Sequence, residues 1–163
     1  MTMGKSTGQN PLPKFWWRAK VTAGAGLIVW LCIVFIVMPP EKYPLVPQFF
    51  AQVIAVSGGC ITLWHYRILG PGARNWAQPE TLVSRGGLYN FIRHPMYLGD
   101  AVLYLGLALL GSGWPAWFLL ASGWLALFLQ ARTEDRLMNS AFGDEFATWR
   151  SKTGLLLPFT RRL

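Results

Sequence analysis

The chain has 163 residues, enough for one domain, and 53% of them are hydrophobic whereas only 13% are charged. Ordinary soluble domains carry about 25% charged residues, and aromatic residues make up 15% of this chain. The composition therefore excludes a typical soluble protein and predicts an all-α integral membrane protein.

The formal net charge of +8 fits either nucleic acid or an anionic membrane surface as a partner. The hydropathy favours the lipid bilayer. There is no Lys/Arg-rich helix and no zinc-type Cys/His cluster, so neither a nucleic-acid partner nor a metal site is expected. Cys32 and Cys60 lie inside apolar runs and are interpreted as small buried hydrophobic residues.

The first half of the chain predicts a flexible polar tail at 1–14 and two membrane helices. The first helix, 15–38, has the length of about 20 apolar residues that a bilayer requires. The proline-rich stretch 39–47 predicts an external turn. The second helix, 46–69, is expected to end at the Gly-Pro-Gly sequence 70–72.

The second half begins with a polar loop, 70–93, which is longer than most loops and therefore a candidate for function. A third helix is predicted at 96–112 and a fourth at 114–132. Apolar residues then recur at helical spacing through 133–152, with Gly143 as a break. This last stretch is interpreted as a helix that extends from the fourth span, followed by a second, short amphipathic helix on the membrane surface.

The cations predict the orientation of these four helices. Under the four-helix arrangement, fourteen of the fifteen Lys and Arg residues lie on one side, and only Lys42 lies on the other. Cytoplasmic loops carry this excess, so both termini, the long loop and the C-terminal segment are expected on the cytoplasmic side. A prokaryotic inner membrane is the expected location.

Each charged or imidazole group near the membrane boundary has a simple structural interpretation. Arg93 and His94 fit a pair that anchors the third helix at the lipid head groups, and His65 fits an interface position between aromatic neighbours. Asp100 would complement the dipole at the start of that helix. Adjacent acids such as those at 134–135 usually lie on a solvated helix face.

The same residues also suggest a binding pocket when they are taken together. Consecutive antiparallel helices are neighbours in space, so Arg93 and His94 should meet Glu134 and Asp135 at the cytoplasmic ends of helices three and four. Tyr89 and Tyr97 flank this junction, and Asp100 follows it by one turn. Such a pocket suits a zwitterionic, water-soluble cofactor that meets a membrane-bound substrate.

Two stretches carry a family resemblance: LVSRGGLYNFIRHPMYLG, and about thirty residues later EDRLMNSAFGDEFATWRSKTGLLLPF. They closely resemble the isoprenylcysteine carboxyl methyltransferase family, a broad membrane family that also includes phospholipid N-methyltransferases. The resemblance covers about 81–159. It implies a methyltransferase that uses S-adenosyl-L-methionine. By resemblance, the cofactor-binding residues are Leu82, Val83, Tyr89, His94, Pro95, Met96, Tyr97 and Glu134. Arg93, together with His94, can bind the carboxylate of the cofactor by its charge.

The sequence departs from the family at two positions. Asp135 replaces the usual second glutamate. Gln130 stands where the eukaryotic isoprenylcysteine enzymes have an arginine that contacts the substrate carboxylate, which makes Gln130 a candidate substrate residue. The acceptor is expected to be a hydrophobic molecule, lipid or lipidated substrate with a carboxylate, amine or thiol.

No catalytic residue is assigned, and His94 and Asp100 are the candidate general bases. Two other functions remain open at this point: an NADPH-dependent membrane reductase of related architecture, and a non-catalytic four-helix membrane subunit. The sequence predicts no particular oligomeric state.

Overall fold

The structure is a computed structural model that describes residues 11–37, 45–73, 82, 86–111 and 113–158. Four helices make up most of it, and a short 3-10 helix, Gly87–Asn90, precedes the third of them. Within the described ranges there is no β-strand, only an isolated parallel bridge between Ile92 and Gly154. The helices are α1 (Pro11–Val37), α2 (Leu45–Ala73), α3 (Pro95–Gly111) and α4 (Gly113–Lys152).

Three of these helices are long and apolar enough to cross a membrane: α1, α2 and α4. The fourth, α3, has 17 residues, which at 1.5 Å per residue makes it shorter than a hydrocarbon core of about 30 Å. Large apolar side chains such as Ile36 and Trp114 are 83% and 79% exposed. Only a lipid environment suits this surface, so the chain is an integral membrane protein.

The helix boundaries differ from the predicted ones at both ends of the first half. α1 begins at Pro11, because proline needs no hydrogen-bond partner in a first turn; residues 1–10 of the expected tail lie outside the described part. α2 continues to Ala73 through the Gly-Pro-Gly sequence, since a proline in a final turn removes only one hydrogen bond. Most of the proline-rich turn lies outside the described residues.

One further sequence interpretation needs correction. Cys32 and Cys60 are exposed on the helix surfaces rather than buried, which suits small apolar side chains that face lipid. α4 continues from its apolar half into the amphipathic stretch, and its backbone is non-helical at Gly143, where φ is 50° and ψ is −121°. Beyond Gly143 the helix returns toward the start of α3, where its last residues contact the 3-10 helix.

Glycines allow α2 and α3 to pack with their backbones in close contact. A Cβ atom on Gly58 would lie 2.3 Å from the backbone nitrogen of Leu103, and one on Gly106 would lie 2.4 Å from the nitrogen of Ala55. Small residues at helix interfaces are how membrane helices approach closely. This packing fixes the start of α3 beside the end of α2, which is where the candidate site lies.

We expect Gly58→Ala to destabilise the protein by about 1–3 kcal/mol, because the new methyl group meets backbone that no side-chain rotation can move. Gly59→Ala is the matched control. A Cβ atom on this adjacent glycine would have no neighbouring atom within 4 Å, so alanine there should leave stability unchanged or raise it by under about 1 kcal/mol. Thermal unfolding in one detergent compares the two, and equal midpoints would contradict the packing argument.

Candidate active site

A cavity of about 420 Å³ lies at the end of the bundle where α1 and α3 begin and α2 ends. The middle of α4 and the helical stretch after Gly143 complete its wall. The cavity combines aromatic, aliphatic and ionisable side chains. Its lining residues are Trp17, Lys20, Tyr66, Leu69, Leu82, Tyr89, Arg93, His94, Met96, Tyr97, Gln130, Glu134, Asp135, Met138, Phe146 and Trp149.

The segment before α3 is attached to the end of the chain by backbone hydrogen bonds. The Arg93 amide donates to the carbonyl of Gly154 at 2.9 Å, and the Gly154 amide donates to the carbonyl of Phe91 at 3.0 Å. The His94 amide donates to the carbonyl of Leu155 at 3.2 Å. These bonds hold the end of the chain against the segment that contributes Arg93 and His94 to the cavity wall.

The Arg93 side chain holds three segments together. Its Nε donates to both carboxylate oxygens of Asp135, at 3.0 and 3.3 Å. Its Nη1 donates to the carbonyls of Thr153, at 2.6 Å, and Arg150, at 3.3 Å. Burial lowers the pKa of Arg93, and Asp135 opposes that change; a guanidinium remains protonated in proteins. These bonds engage the guanidinium group, so Arg93 anchors the start of α3 to α4 and to the C-terminal segment.

His94 lies between two carboxylates. Its Nε2 is 2.8 Å from Oδ1 of Asp135, and because a carboxylate only accepts hydrogen bonds, Nε2 carries the proton. Its Nδ1 lies 3.7 Å from Oε2 of Glu134. The imidazole also stacks on Tyr97, with ring centroids 5.4 Å apart and planes at 3°. Nδ1 is therefore the nitrogen on the Glu134 side.

Glu134 is a buried carboxylate that lines the cavity. Its Oε1 accepts hydrogen bonds from the Tyr97 hydroxyl and from Nε2 of Gln130, the latter at 2.9 Å. The other amide atom, Oε1 of Gln130, is buried and has no hydrogen-bond partner among the described residues. An unsatisfied buried acceptor costs about 1–3 kcal/mol, and the bond from the amide nitrogen to Glu134 holds Gln130 in this orientation.

Tyr89 is positioned by His65, which is fully buried rather than at an interface as the sequence suggested. His65 accepts from the Leu88 amide through Nε2, at 3.0 Å, and lies 2.8 Å from the Ile61 carbonyl through Nδ1. Trp149 donates to the carbonyl of Tyr89 at 3.2 Å. Burial, with a smaller effect of the Glu134 charge, raises the pKa of Tyr89, so it presents a neutral phenol.

Lys20 on α1 is a cavity residue that the sequence analysis did not select. Its ammonium group lies 3.2 Å from Oδ2 of Asp100 and 4.2 Å from the centroid of the Tyr97 ring. The Thr62 hydroxyl donates to the other oxygen of Asp100 at 3.0 Å. Asp100 thus holds Lys20 in place and does not line the cavity, which makes it a poor candidate for a general base.

The structure brings most of the sequence-predicted site residues to one cavity. Pro95 is buried in the first turn of α3 but does not line the cavity, and Val83 lies outside the described residues. Asp100 is the only acid in the sequence of α3, and an isolated charge in an apolar helix needs a partner. The sequence therefore signalled that Asp100 has a partner, but it did not say which cation that partner is. The predicted residues that line the cavity are Leu82, Tyr89, Arg93, His94, Met96, Tyr97, Gln130 and Glu134.

A comparison with protein-family models identifies residues 46–145, more than half of the chain, as a match to the phospholipid methyltransferase family model. The chain belongs to the phospholipid methyltransferase family. It is therefore a membrane methyltransferase. The match contains α2, α3 and α4 as far as the Gly143 break, whereas Lys20 and Trp149 lie outside it. Searches of curated proteins and of solved structures return no significant match.

Proposed function

We propose that this phospholipid methyltransferase family member transfers a methyl group from S-adenosyl-L-methionine to a hydrophobic, membrane-associated acceptor. The observation that carries the proposal is the cavity beside Glu134, because a buried carboxylate with aromatic neighbours at a membrane boundary suits a cationic cofactor. The acceptor group, a carboxylate, amine or thiol, would approach from the lipid side.

The cavity residues fit the chemical groups of the cofactor. Its volume of about 420 Å³ lies within the 300–1,000 Å³ range of small-molecule sites. Glu134 would accept from the cofactor ammonium or ribose hydroxyls, and the ring of Tyr89 would face the sulfonium, a contact that gives about 0.5–2 kcal/mol. The Tyr97 ring already contacts His94 and the Lys20 ammonium, so Tyr97 would act through its hydroxyl, which holds Glu134 in place. Leu82, His94 and Met96 would complete the cofactor subsite, with Arg93 and Pro95 fixing the backbone there. A cofactor contact of Val83, which lies outside the described residues, is proposed from the family resemblance alone.

The cofactor supplies the methyl group, and the chain supplies position and exclusion of water. Holding donor and acceptor in line can lower a barrier by several kcal/mol. A carboxylate acceptor would need no general base. An amine or thiol must lose a proton, and Nδ1 of His94 is the group on the cavity wall that is placed to take it, since Nε2 is bonded to Asp135.

We also propose that the cavity opens at the cytoplasmic side, with both termini on that side and α3 as a fourth spanning helix. The start of α1, the end of α2 and the start of α3 meet at the cavity, as alternating helix directions require. The described cations Arg18, Arg67 and Arg93 lie in these helix ends or beside them, and Arg132 lies on α4 between the cavity residues Gln130 and Glu134. This distribution agrees with the rule that cytoplasmic ends are basic.

Calorimetry on the detergent-purified chain tests this function. S-adenosyl-L-methionine and S-adenosylhomocysteine should both bind saturably with one site per chain, and NADPH should not bind. A folded sample that binds NADPH and neither of the other two compounds would replace the methyltransferase mechanism with that of a reductase.

A further inference from the structure

Lys20 places a positive charge on the cavity wall from a helix whose other cations face outward. Lys14 and Arg18 of α1 are exposed, whereas the Lys20 side chain is only 11% exposed and lines the cavity. Its ammonium group lies 3.2 Å from Oδ2 of Asp100 and 4.2 Å from the centroid of the Tyr97 ring. Since Asp100 does not line the cavity, the ion pair presents its positive end to whatever binds there.

Attachment of α1 to α3 does not account for this charge. The Tyr104 hydroxyl donates to the backbone carbonyl of Lys20 at 2.7 Å, and any side chain at position 20 would keep that bond. A buried ion pair adds little net stability, because the cost of removing both charges from water offsets their attraction. Ionisable groups inside membrane helices are costly and commonly serve function, so the ammonium group needs a role at the cavity.

The proposed function would bring ligands of two different charges to this cavity in every cycle. Methyl transfer forms a bond between the acceptor and the methyl carbon and breaks the bond from that carbon to sulfur. The electron pair of the broken bond stays on sulfur, so the sulfonium cation becomes the neutral thioether of S-adenosylhomocysteine. The amino, carboxylate, ribose and adenine groups are the same in both ligands. A fixed cation on the wall therefore distinguishes the two by the charge on sulfur.

We propose that Lys20 sets the preference of the site between S-adenosyl-L-methionine and S-adenosylhomocysteine, with its ammonium group disfavouring the sulfonium. This inference rests on the proposed function and gives a specificity role to a residue outside the family match, 46–145. A charge at the centre of a cavity of about 420 Å³ lies within about 10 Å of a lining ammonium group, close enough to change an affinity about tenfold. Asp100 reduces this effect because its opposite charge lies beside the ammonium.

Calorimetry on the full chain in detergent tests the proposal by the ratio of the dissociation constant of S-adenosyl-L-methionine to that of S-adenosylhomocysteine. Lys20→Met should lower the ratio about tenfold, since the cation is removed and the Asp100 carboxylate is left without it. Asp100→Asn should raise the ratio about threefold, because the ammonium group loses its opposing charge. An inactive fraction lowers the measured stoichiometry and leaves both constants unchanged, so partial unfolding does not alter the ratio.

Two control variants should keep the wild-type ratio. Lys20→Arg retains the charge, and Arg18→Met removes an exposed cation from the same helix, where solvent and salt screen it. If Lys20 only attached α1, its loss would weaken both ligands alike; a ratio in Lys20→Met equal to that in Arg18→Met would overturn the proposal. So would a shift in the same direction in Lys20→Met and Asp100→Asn. A folded wild-type chain that binds neither ligand would instead remove the proposed function, and this inference with it.

Discussion

Replacing Glu134 by glutamine is expected to weaken S-adenosyl-L-methionine binding by about 10- to 100-fold, since hydrogen bonds to charged groups contribute about 1.5–3 kcal/mol and 1.4 kcal/mol is a factor of ten. The substitution removes a charge but keeps the shape of the side chain. It also keeps an oxygen that can accept from the Tyr97 hydroxyl. The loss should therefore appear in cofactor affinity, measured by calorimetry, with little change in thermal stability.

The matched control is Glu145→Gln, which removes an exposed carboxylate from the same helix beyond the Gly143 break. The affinity of this variant for S-adenosyl-L-methionine should equal that of the wild-type chain. Glu134→Ala should bind the cofactor more weakly than Glu134→Gln, because it also leaves the Tyr97 hydroxyl and the Gln130 amide without their acceptor. If Glu134→Gln bound the cofactor as tightly as Glu145→Gln does, Glu134 would not be the residue that recognises it.

The helical class of the fold could be predicted from the sequence because long apolar runs between proline and glycine clusters have few other solutions in a membrane. The exact ends of the helices could not be predicted, because adding or removing one terminal turn changes the free energy of folding only slightly. The positions of Pro11 and Ala73 show this: each extends a helix beyond its apolar part, where hydropathy gives no signal.

The convergence of Arg93 and His94 with Asp135 could also be predicted, because helix order and short connections place those residues at one end of one helix pair. The return of the chain after Gly143 toward the start of α3 could not be predicted. Gly143 signalled a break, but the direction taken afterwards depends on contacts between distant residues, such as Trp149 with the Tyr89 carbonyl. The contribution of α1 was missed for a similar reason, since Lys20 and Asp100 are 80 positions apart.

Arg93→Met is expected to destabilise the protein by about 3–5 kcal/mol, the usual cost of removing one partner from a buried ion pair. Asp135 would keep only His94 as a donor on this side, and the carbonyls of Arg150 and Thr153 would lose theirs. The C-terminal segment should then detach from the start of α3. The measurements are the thermal midpoint in detergent and the rate of tryptic cleavage after Arg150 and Lys152, which should rise.

Two controls separate the anchoring role of Arg93 from a general loss of charge. Arg136→Met removes an exposed cation one position after Asp135 and should change stability by no more than about 0.5 kcal/mol. Arg93→Lys keeps the charge but loses the planar guanidinium that reaches Asp135 and two carbonyls at once, so it should fall between Arg93→Met and the wild type. A double-mutant cycle with Asp135→Asn measures the coupling directly. If the two single changes simply added, and cleavage after Arg150 stayed slow, the pair would not hold the C-terminal segment in place.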